Sequence, residues 1–218
     1  MSGSNGLPIA IVDYGMGNLQ SIYNAFALLD GSPRIVEDPA ALADARGVVV
    51  PGVGAFGEGI ESLRDRGFVA PLKRLVQEEG VPYLGLCLGM QFLATGSTER
   101  GHHKGLDWMP GMVTRIDPAE GYTVPHMGWN EINLATPDPD LYQKIGIDPV
   151  FYFIHSYHFE VNDPAHVTAT VWHGGSFTAS VRKDNVYGVQ YHPEKSQGTG
   201  LKVVENFVSI VDRGNPDG

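Results

Sequence analysis

The stretch "PYLGLCLGMQ", residues 82–91, places a potential nucleophile between two glycines. Cys87 is the only cysteine of the 218-residue chain, and Gly85 and Gly89 lie two positions to either side of it. This spacing is typical of the G-x-S-x-G elbow, in which small neighbours permit a sharp turn that presents a nucleophile above a sheet. A helix beginning at Leu88 would favour the thiolate through its dipole and would offer the Leu88 N–H to an oxyanion. The alternative is a buried core thiol, because free cysteine is among the most buried residue types.

A candidate base lies far along the chain in "YGVQYHPEKS". An apolar strand is predicted to end at His192, Pro193 closes it, and Glu194 follows two residues after the histidine. Residues i and i+2 of an extended chain project to the same side, so the Glu194 carboxylate can bind one imidazole nitrogen and leave the other for a thiol. With Cys87, the pair fits the nucleophile, base and orienting acid of covalent catalysis. Alone, it also fits a strand-end histidine beside a solvated glutamate.

The first half of the chain must position the cysteine, and there apolar strands alternate with helices. Helices are predicted at 19–29, on both sides of Gly67 within 56–79, and from Leu88 to about Ala94. Strands are predicted in "PIAIVDYG", "RIVED", "GVVVPGVG" and "VPYLGLC". Such alternation indicates a parallel sheet covered on both faces.

The second half must position the histidine, and there strands follow one another without a long helix between them. They are predicted in "GMVTRI", "FYFIHSYHFEV", "HVTATVWH", "SFTASVRK" and "VYGVQYHPE", before a terminal helix in "GLKVVENFVSIVD". We therefore predict a three-layer α/β fold, with a mostly parallel central sheet flanked by helices and an antiparallel β extension in the second half. A single domain is expected at 8–212, with flexible segments at 1–7 and 213–218.

Composition limits the partners and the location. The chain has 15 Lys and Arg against 25 Asp and Glu, a net charge of −10 that opposes binding to nucleic acid or to an anionic membrane. One cysteine cannot form an internal disulfide, the first residues lack a secretory signal, and no apolar run is long enough to span a bilayer. We expect a cytoplasmic protein.

Two further patterns suggest cofactors but fail on inspection. Gly15 and Gly17 begin like a dinucleotide-binding fingerprint, yet Gln20 stands where the third glycine is needed for close helix packing. His102 and His103 lie in a polar loop without carboxylates or thiols at metal-ligand spacing. Neither a nucleotide cofactor nor a metal is expected.

Taken together, "GLCLGMQ" in mid-chain and "GVQYHPE" near the C-terminus resemble the class I, or triad, glutamine amidotransferases over nearly the whole chain. "DYGMGNL", "PGVGAF", "PHMGWN" and "YFIHSYH" further resemble the glutaminase subunits of imidazole glycerol phosphate synthases, which act in histidine biosynthesis. The resemblance implies that Cys87 attacks the carboxamide of glutamine. His192 would accept the thiol proton and deliver one to the departing ammonia, and Glu194 would orient His192.

The resemblance also implies an oxyanion hole and a substrate pocket. The oxyanion donors would be the Leu88 N–H and the Gly52–Val53 peptide of "PGVG". Two glycines after a strand also fit an ordinary turn, but they let a peptide rotate cheaply, so this donor can be absent until something aligns it. The residues implied for glutamine binding are Gln91, Ser156 and Tyr157.

In the resembled family the acceptor of ammonia is a cyclase of the (β/α)₈-barrel type, so a heterodimer is expected. Its docking face would include Asn18, Trp129 and Tyr152, although Trp129 also fits a core position. The glutaminase alone would be nearly idle until the partner binds its own substrate. Three alternatives remain open: a glutaminase serving another acceptor synthase, a γ-glutamyl hydrolase with the same elbow, and a catalytically inactive binding module of this fold.

Overall fold

The computed structural model describes residues 8–135 and 140–214, and within them the strands form a nine-stranded and a four-stranded sheet. The strands in chain order are β1 (Ile9–Val12), β2 (Pro33–Val36), β3 (Gly47–Val50), β4 (Tyr83–Leu86), β5 (Gly96–Ser97), β6 (His103–Lys104), β7 (Gly111–Arg115), β8 (His126–Leu134), β9 (Val150–His155), β10 (Tyr157–Val161), β11 (Val167–Trp172), β12 (Ser176–Lys183) and β13 (Val186–Val189).

The larger sheet has the order β2-β1-β3-β4-β13-β12-β11-β8-β9. Neighbours from β2 to β13 pair in parallel, and neighbours from β13 to β9 pair antiparallel. The smaller sheet has the order β10-β7-β5-β6. The predicted fold class, a parallel sheet with an antiparallel extension from the second half, is confirmed.

Helices cover the larger sheet on both faces. They are α1 (Leu19–Ala27), α2 (Phe56–Asp65), α3 (Val69–Lys73), α4 (Leu88–Gln91) and α5 (Gln197–Arg213). A π-helical turn at Arg74–Glu78 continues α3, and 3₁₀ turns lie at Pro39–Leu42, Pro164–His166 and Pro193–Lys195. Gly67, with φ +79°, separates α2 from α3 as predicted. Among the described residues, no helix has the length and apolar character needed to cross a membrane.

Alternation along the parallel strands builds the three layers. Val48 and Val50 join one buried cluster with side chains of α2 and α3, whereas Val49 joins a second cluster with side chains of α1 and α5. Successive residues of a strand point to opposite faces, so one short apolar strand supplies both clusters. Four of the parallel strands, β1, β3, β4 and β13, are therefore buried on both faces, and their carboxyl ends fix where the chain turns into the loops.

Some elements differ from the sequence prediction. The helix after Cys87 ends at Gln91 and not near Ala94, because the N–H groups of Leu93 and Ala94 bond three residues back in tighter turns. β8 was not predicted, and "FYFIHSYHFEV" divides at Ser156, where the chain leaves the larger sheet for the smaller one.

The predicted ends of the domain fall at the limits of the described chain. Residues 1–7 and 215–218 lie outside the described residues, so the predicted flexibility there stays a prediction, as does the single domain at 8–212. α5 continues to Arg213, the first residue assigned to the tail, where the guanidinium binds Asp140 at 2.8 Å.

Candidate functional site

Cys87 occupies a strained turn between β4 and α4. Its backbone has φ 52° and ψ −104°, a conformation that costs a residue with a side chain about 1–3 kcal/mol. The flanking glycines permit the turn: a Cβ on Gly85 would lie 2.5 Å from the Gly89 carbonyl oxygen, and a Cβ on Gly89 would overlap the Val50 carbonyl. The Cys87 N–H donates to the Val189 carbonyl at 2.8 Å. The elbow is thereby fixed to β13, the strand that leads toward the histidine.

His192 and Glu194 meet through a 3₁₀ turn. β13 ends at Val189, His192 is extended, and the turn Pro193–Lys195 brings the Glu194 carboxylate back to 2.8 Å from His192 Nδ1. The expectation that an extended strand reaches His192 and aligns the pair is therefore wrong, although the contact itself forms. The two side chains are only 5% and 3% exposed.

The charges around His192 favour its protonated form. Burial lowers the pKa of His192, but Cys87 and then Glu194 outweigh burial and raise the pKa above its ordinary value. Among the described residues, Nε2 of His192 has no hydrogen-bond partner. One imidazole nitrogen is thus held by Glu194, and the other remains available for proton exchange beside the thiol.

The turn after β3, residues 51–54, occupies the backbone N–H of Leu88, the residue next to Cys87. The Leu88 N–H donates to the Gly52 carbonyl at 3.4 Å. In a trans peptide the N–H points opposite to the carbonyl, so the Val53 N–H faces away from Leu88. The two groups expected to bind an oxyanion are therefore not directed at a common point in this structure.

A cavity of about 350 Å³ opens over Cys87. Its size lies at the lower end of ordinary ligand pockets. The three residues expected to bind glutamine, Gln91, Ser156 and Tyr157, all line it, as do Val53 and Leu88. The amide nitrogen of Gln91 donates to the Tyr157 carbonyl at 3.1 Å and to Gln190 Oε1 at 2.9 Å. The first turn of α4 is in this way tied to the chain at the β9–β10 break.

Several residues of this site were not predicted from the sequence. Gln190 is fully buried, and its Nε2 donates to Cys87 Sγ at 3.4 Å. Its sequence signal was present, since it is a lone polar residue in an apolar run two positions before His192. Glu99 and Lys195 also line the cavity, and Glu99 Oε2 accepts the Phe56 N–H at 2.7 Å. Nothing in the polar stretch around Glu99 marks it in the sequence.

Two of the three residues expected to dock a partner lie beside the cavity. Trp129 and Tyr152 are paired across β8 and β9, with ring centroids 5.9 Å apart. Trp129 is 49% exposed, so its alternative core position is wrong. Met127, which is 59% exposed, lies on the same face and also lines the cavity. Asn18 caps α1 at the carboxyl end of β1.

Comparison with known proteins assigns this arrangement to a family. The model of the class-I glutamine amidotransferases matches residues 10–211. The chain belongs to the class I glutamine amidotransferase family. The amidotransferase is 46% identical over 204 residues to the imidazole glycerol phosphate synthase subunit HisH of Syntrophotalea carbinolica, covering 91% of this chain and 98% of that protein. The HisH subunit of Moorella thermoacetica is 45% identical, with 94% and 95% covered.

Solved structures share the fold of this amidotransferase at low sequence identity. A crystal structure of a glutamine amidotransferase has a TM-score of 0.71 and 18% identity, covering 93% of this chain and 98% of that chain. The structure of PurLQS from Thermotoga maritima has a TM-score of 0.72 and 19% identity, with 94% and 98% covered.

Proposed function

We propose that this amidotransferase is the glutaminase subunit of an imidazole glycerol phosphate synthase. The observation that carries the proposal is the His192–Glu194 pair held beside Cys87, whose elbow lines the pocket. The pocket is lined by the residues that the family resemblance assigns to glutamine. The relatives that share 41–46% of their residues with this chain are named as HisH subunits of that synthase.

Cys87 attacks the carboxamide carbon of glutamine and transfers its proton to His192. Glu194 holds Nδ1 of His192, so that Nε2 accepts this proton and then gives one to the departing ammonia. Water hydrolyses the resulting glutamyl thioester to glutamate and restores the thiol. The raised pKa of His192 supports this role, because an imidazolium beside the sulfur stabilises the thiolate that attacks.

The oxyanion of the tetrahedral intermediate is bound by the Leu88 and Val53 N–H groups once the Gly52–Val53 peptide has rotated. The Gly52 carbonyl bonded to Leu88 N–H supports a resting state in which this hole is closed. Glycines at 52 and 54 let the rotation proceed at small steric cost. An oxyanion donor contributes roughly 10²–10³ in rate, so the closed turn keeps the free subunit slow.

The acceptor of ammonia is a cyclase of the (β/α)₈-barrel type that forms a heterodimer with this chain. It produces imidazole glycerol phosphate and aminoimidazole carboxamide ribotide. The exposed Trp129, packed against the half-buried Tyr152 beside the cavity, supports docking there, since exposed apolar patches mark interaction sites. The docking face also includes Asn18, the N-cap of α1. The cytoplasmic location expected from the sequence stays a prediction.

Glutaminase activity with and without the cyclase and its ribotide tests the proposal. We expect little turnover by the free chain and strong stimulation when the cyclase and its ribotide are both present. The Cys87→Ala variant should not hydrolyse glutamine but should still bind the cyclase. Brisk unassisted hydrolysis would contradict the gating. Residual hydrolysis by Cys87→Ala would exclude Cys87 as the nucleophile. Recovery of a different synthase in a pull-down would show that the cyclase is not the acceptor of the ammonia. Failure of a glutamine-analogue electrophile to label Cys87 would indicate an inactive module.

A further inference from the structure

The turn at residues 51–54 rests on a buried tyrosine from the β1–α1 loop. Tyr14 is 0% exposed, and its hydroxyl donates to the Pro51 carbonyl at 2.7 Å. The ring packs edge-on against Phe92, with centroids 5.8 Å apart. The Ser62 hydroxyl donates to the Tyr14 carbonyl, so the backbone of this tyrosine is also held. Its hydroxyl therefore has little freedom to move away from the turn.

The same hydroxyl lies directly against the glycine that precedes Val53. A Cβ added to Gly52 would overlap the Tyr14 hydroxyl and would lie 2.8 Å from Leu88 Cβ. Gly52 thus passes between the tyrosine and the first residue of α4. The peptide before Gly52 has its carbonyl bonded to Tyr14, whereas the peptide after it has its carbonyl bonded to Leu88 N–H at 3.4 Å.

The rest of the β1–α1 loop also touches the turn. A Cβ on Gly17 would meet the Pro51 ring at 3.6 Å, and a Cβ on Gly54 would lie 2.7 Å from the terminal methyl of Met16. Both ends of the turn are therefore in contact with the loop at 14–17. Asn18, assigned above to the docking face, follows this loop directly.

We propose that Tyr14 is a positioning residue for the oxyanion hole. Its hydroxyl fixes the Pro51–Gly52 peptide, so that rotation is confined to the Gly52–Val53 peptide and the Val53 N–H arrives at one defined position. Without the hydrogen bond from Tyr14 the whole turn at 51–54 moves, and the Val53 N–H is misplaced after the Gly52–Val53 peptide has rotated. The inference rests on the proposed function, because it assigns Val53 N–H to the intermediate of glutamine hydrolysis. Small misplacements of catalytic groups reduce rates strongly.

The tyrosine remains a donor throughout the reaction. Burial raises the pKa of Tyr14 well above its ordinary value, and the nearby Tyr83 and Cys87 raise it further. The hydroxyl therefore keeps its proton while a thiolate forms at Cys87.

The test is Tyr14→Phe, which keeps the ring and removes the hydroxyl. We expect kcat for glutamine hydrolysis to fall about tenfold with KM unchanged, less than the roughly 10²–10³-fold effect of removing an oxyanion donor outright. Alkylation of Cys87 by iodoacetamide should proceed at the wild-type rate, because displacement of iodide forms a C–S bond without an oxyanion. A merely structural role would change alkylation and KM as well.

Thr168→Val is the matched control. It also removes a buried hydroxyl while keeping the side-chain shape, but its partner is Ser180 Oγ at 2.7 Å between β11 and β12. It should lower stability and leave kcat and KM unchanged. If Tyr14→Phe does not fold, Ser62→Ala loosens the same loop, and a smaller loss of kcat at unchanged KM is expected from it.

Each variant is assayed alone and with the cyclase. The proposed acceptor and the proposed role of Tyr14 can then be contradicted independently of each other. A cyclase that does not stimulate the wild-type chain would overturn the proposed acceptor. An unchanged kcat for Tyr14→Phe, or a loss shared equally by kcat and the alkylation rate, would overturn the role of Tyr14. For Ser62→Ala, an unchanged kcat would do the same.

Discussion

Two sets of buried histidines lie near the pocket and differ in what faces them. His192 faces a carboxylate and a thiol, and its pKa is raised. His126 and His155 face each other across β8 and β9, with His126 Nδ1 and His155 Nε2 3.0 Å apart. Burial lowers the pKa of His126 to about 4, with a further effect of the stacked His173. Burial also lowers the pKa of His155 to about 3 against the opposing effect of a backbone bond.

The hydrogen bonds of the second set are consistent only with neutral rings. His155 Nδ1 donates to the Tyr157 carbonyl at 2.9 Å, so its Nε2 must accept the bond from His126 Nδ1. His126 Nε2 is then left to accept from Asn130 Nδ2 at 3.2 Å. A proton added to either ring would place one donor against another.

Burial alone therefore does not decide whether a histidine carries a proton. Both sets are largely withdrawn from water, and burial lowers the pKa in each. Of these three histidines only His192 lies beside Cys87 and a carboxylate, and the negative charges of a thiolate and a carboxylate favour the protonated form. His192 is thus suited to proton transfer, whereas His126 and His155 serve as fixed hydrogen-bonding groups that hold β8, β9 and the Tyr157 carbonyl.

Exchanging a histidine of each set for asparagine should separate the two sets most strongly. His192→Asn removes the proposed base, and kcat for glutamine hydrolysis should fall by about 10⁴-fold or more. His126→Asn keeps a polar side chain where no proton is transferred, and kcat should stay within about threefold of wild type. Steady-state glutaminase assays in the presence of the cyclase measure both. Equal losses in the two variants would contradict the division between the sets.

A second, smaller effect isolates the carboxylate. Glu194→Gln keeps a hydrogen-bond acceptor but removes the charge, so the pKa of His192 should decrease and kcat should fall about 10²-fold or more. The pKa is best followed by NMR in the Cys87→Ala background, where the contribution of the thiol is absent. Adding Glu194→Gln to that background should lower the pKa further. An unchanged pKa would assign the raised value of His192 to Cys87 alone.

The sequence predicted the Cys87 elbow well because the requirement there is local. A thiol in a strained turn needs small residues at fixed spacing, and Gly85 and Gly89 meet that requirement. The pairing of His192 with Glu194 was also predicted, yet by the wrong geometry. Proline at 193 turns the chain into a 3₁₀ turn, and i and i+2 come together there by curvature and not by strand alternation.

The contacts that the sequence did not reveal are those made by distant segments. Gln190 reaches Cys87 because β13 lies beside β4, and Tyr14 reaches Pro51 because β1 lies beside β3. Neither side chain has a spacing that marks its partner. β8 escaped prediction for a related reason: its inner residues, such as His126 and Asn130, are polar and satisfy one another, so apolar alternation is weak.

The two sets should also differ, by a smaller amount, in how they affect stability in mild acid. In the unfolded chain His126 and His155 take up protons as the pH falls through about 6.5, whereas in the folded chain they do so only near 4 and 3. The unfolded state therefore binds more protons, and the free energy of unfolding should decrease between pH 7 and pH 5. His192 acts in the opposite direction, because its raised pKa contributes stability that is fully present below about 6.5 and lost at high pH.

Urea denaturation at pH 7, 6 and 5, followed by circular dichroism, measures these contributions. Relative to wild type, the double variant His126→Asn/His155→Asn should lose less stability on acidification, since two groups that resist protonation are gone. The His192→Asn variant should lose more stability than wild type on acidification, because the histidine whose protonation stabilises the folded state is gone. If the free energy of unfolding changed with pH in the same way in all three proteins, the two sets of histidines would not differ in proton uptake on folding. The contrast in their surroundings would then have no thermodynamic consequence.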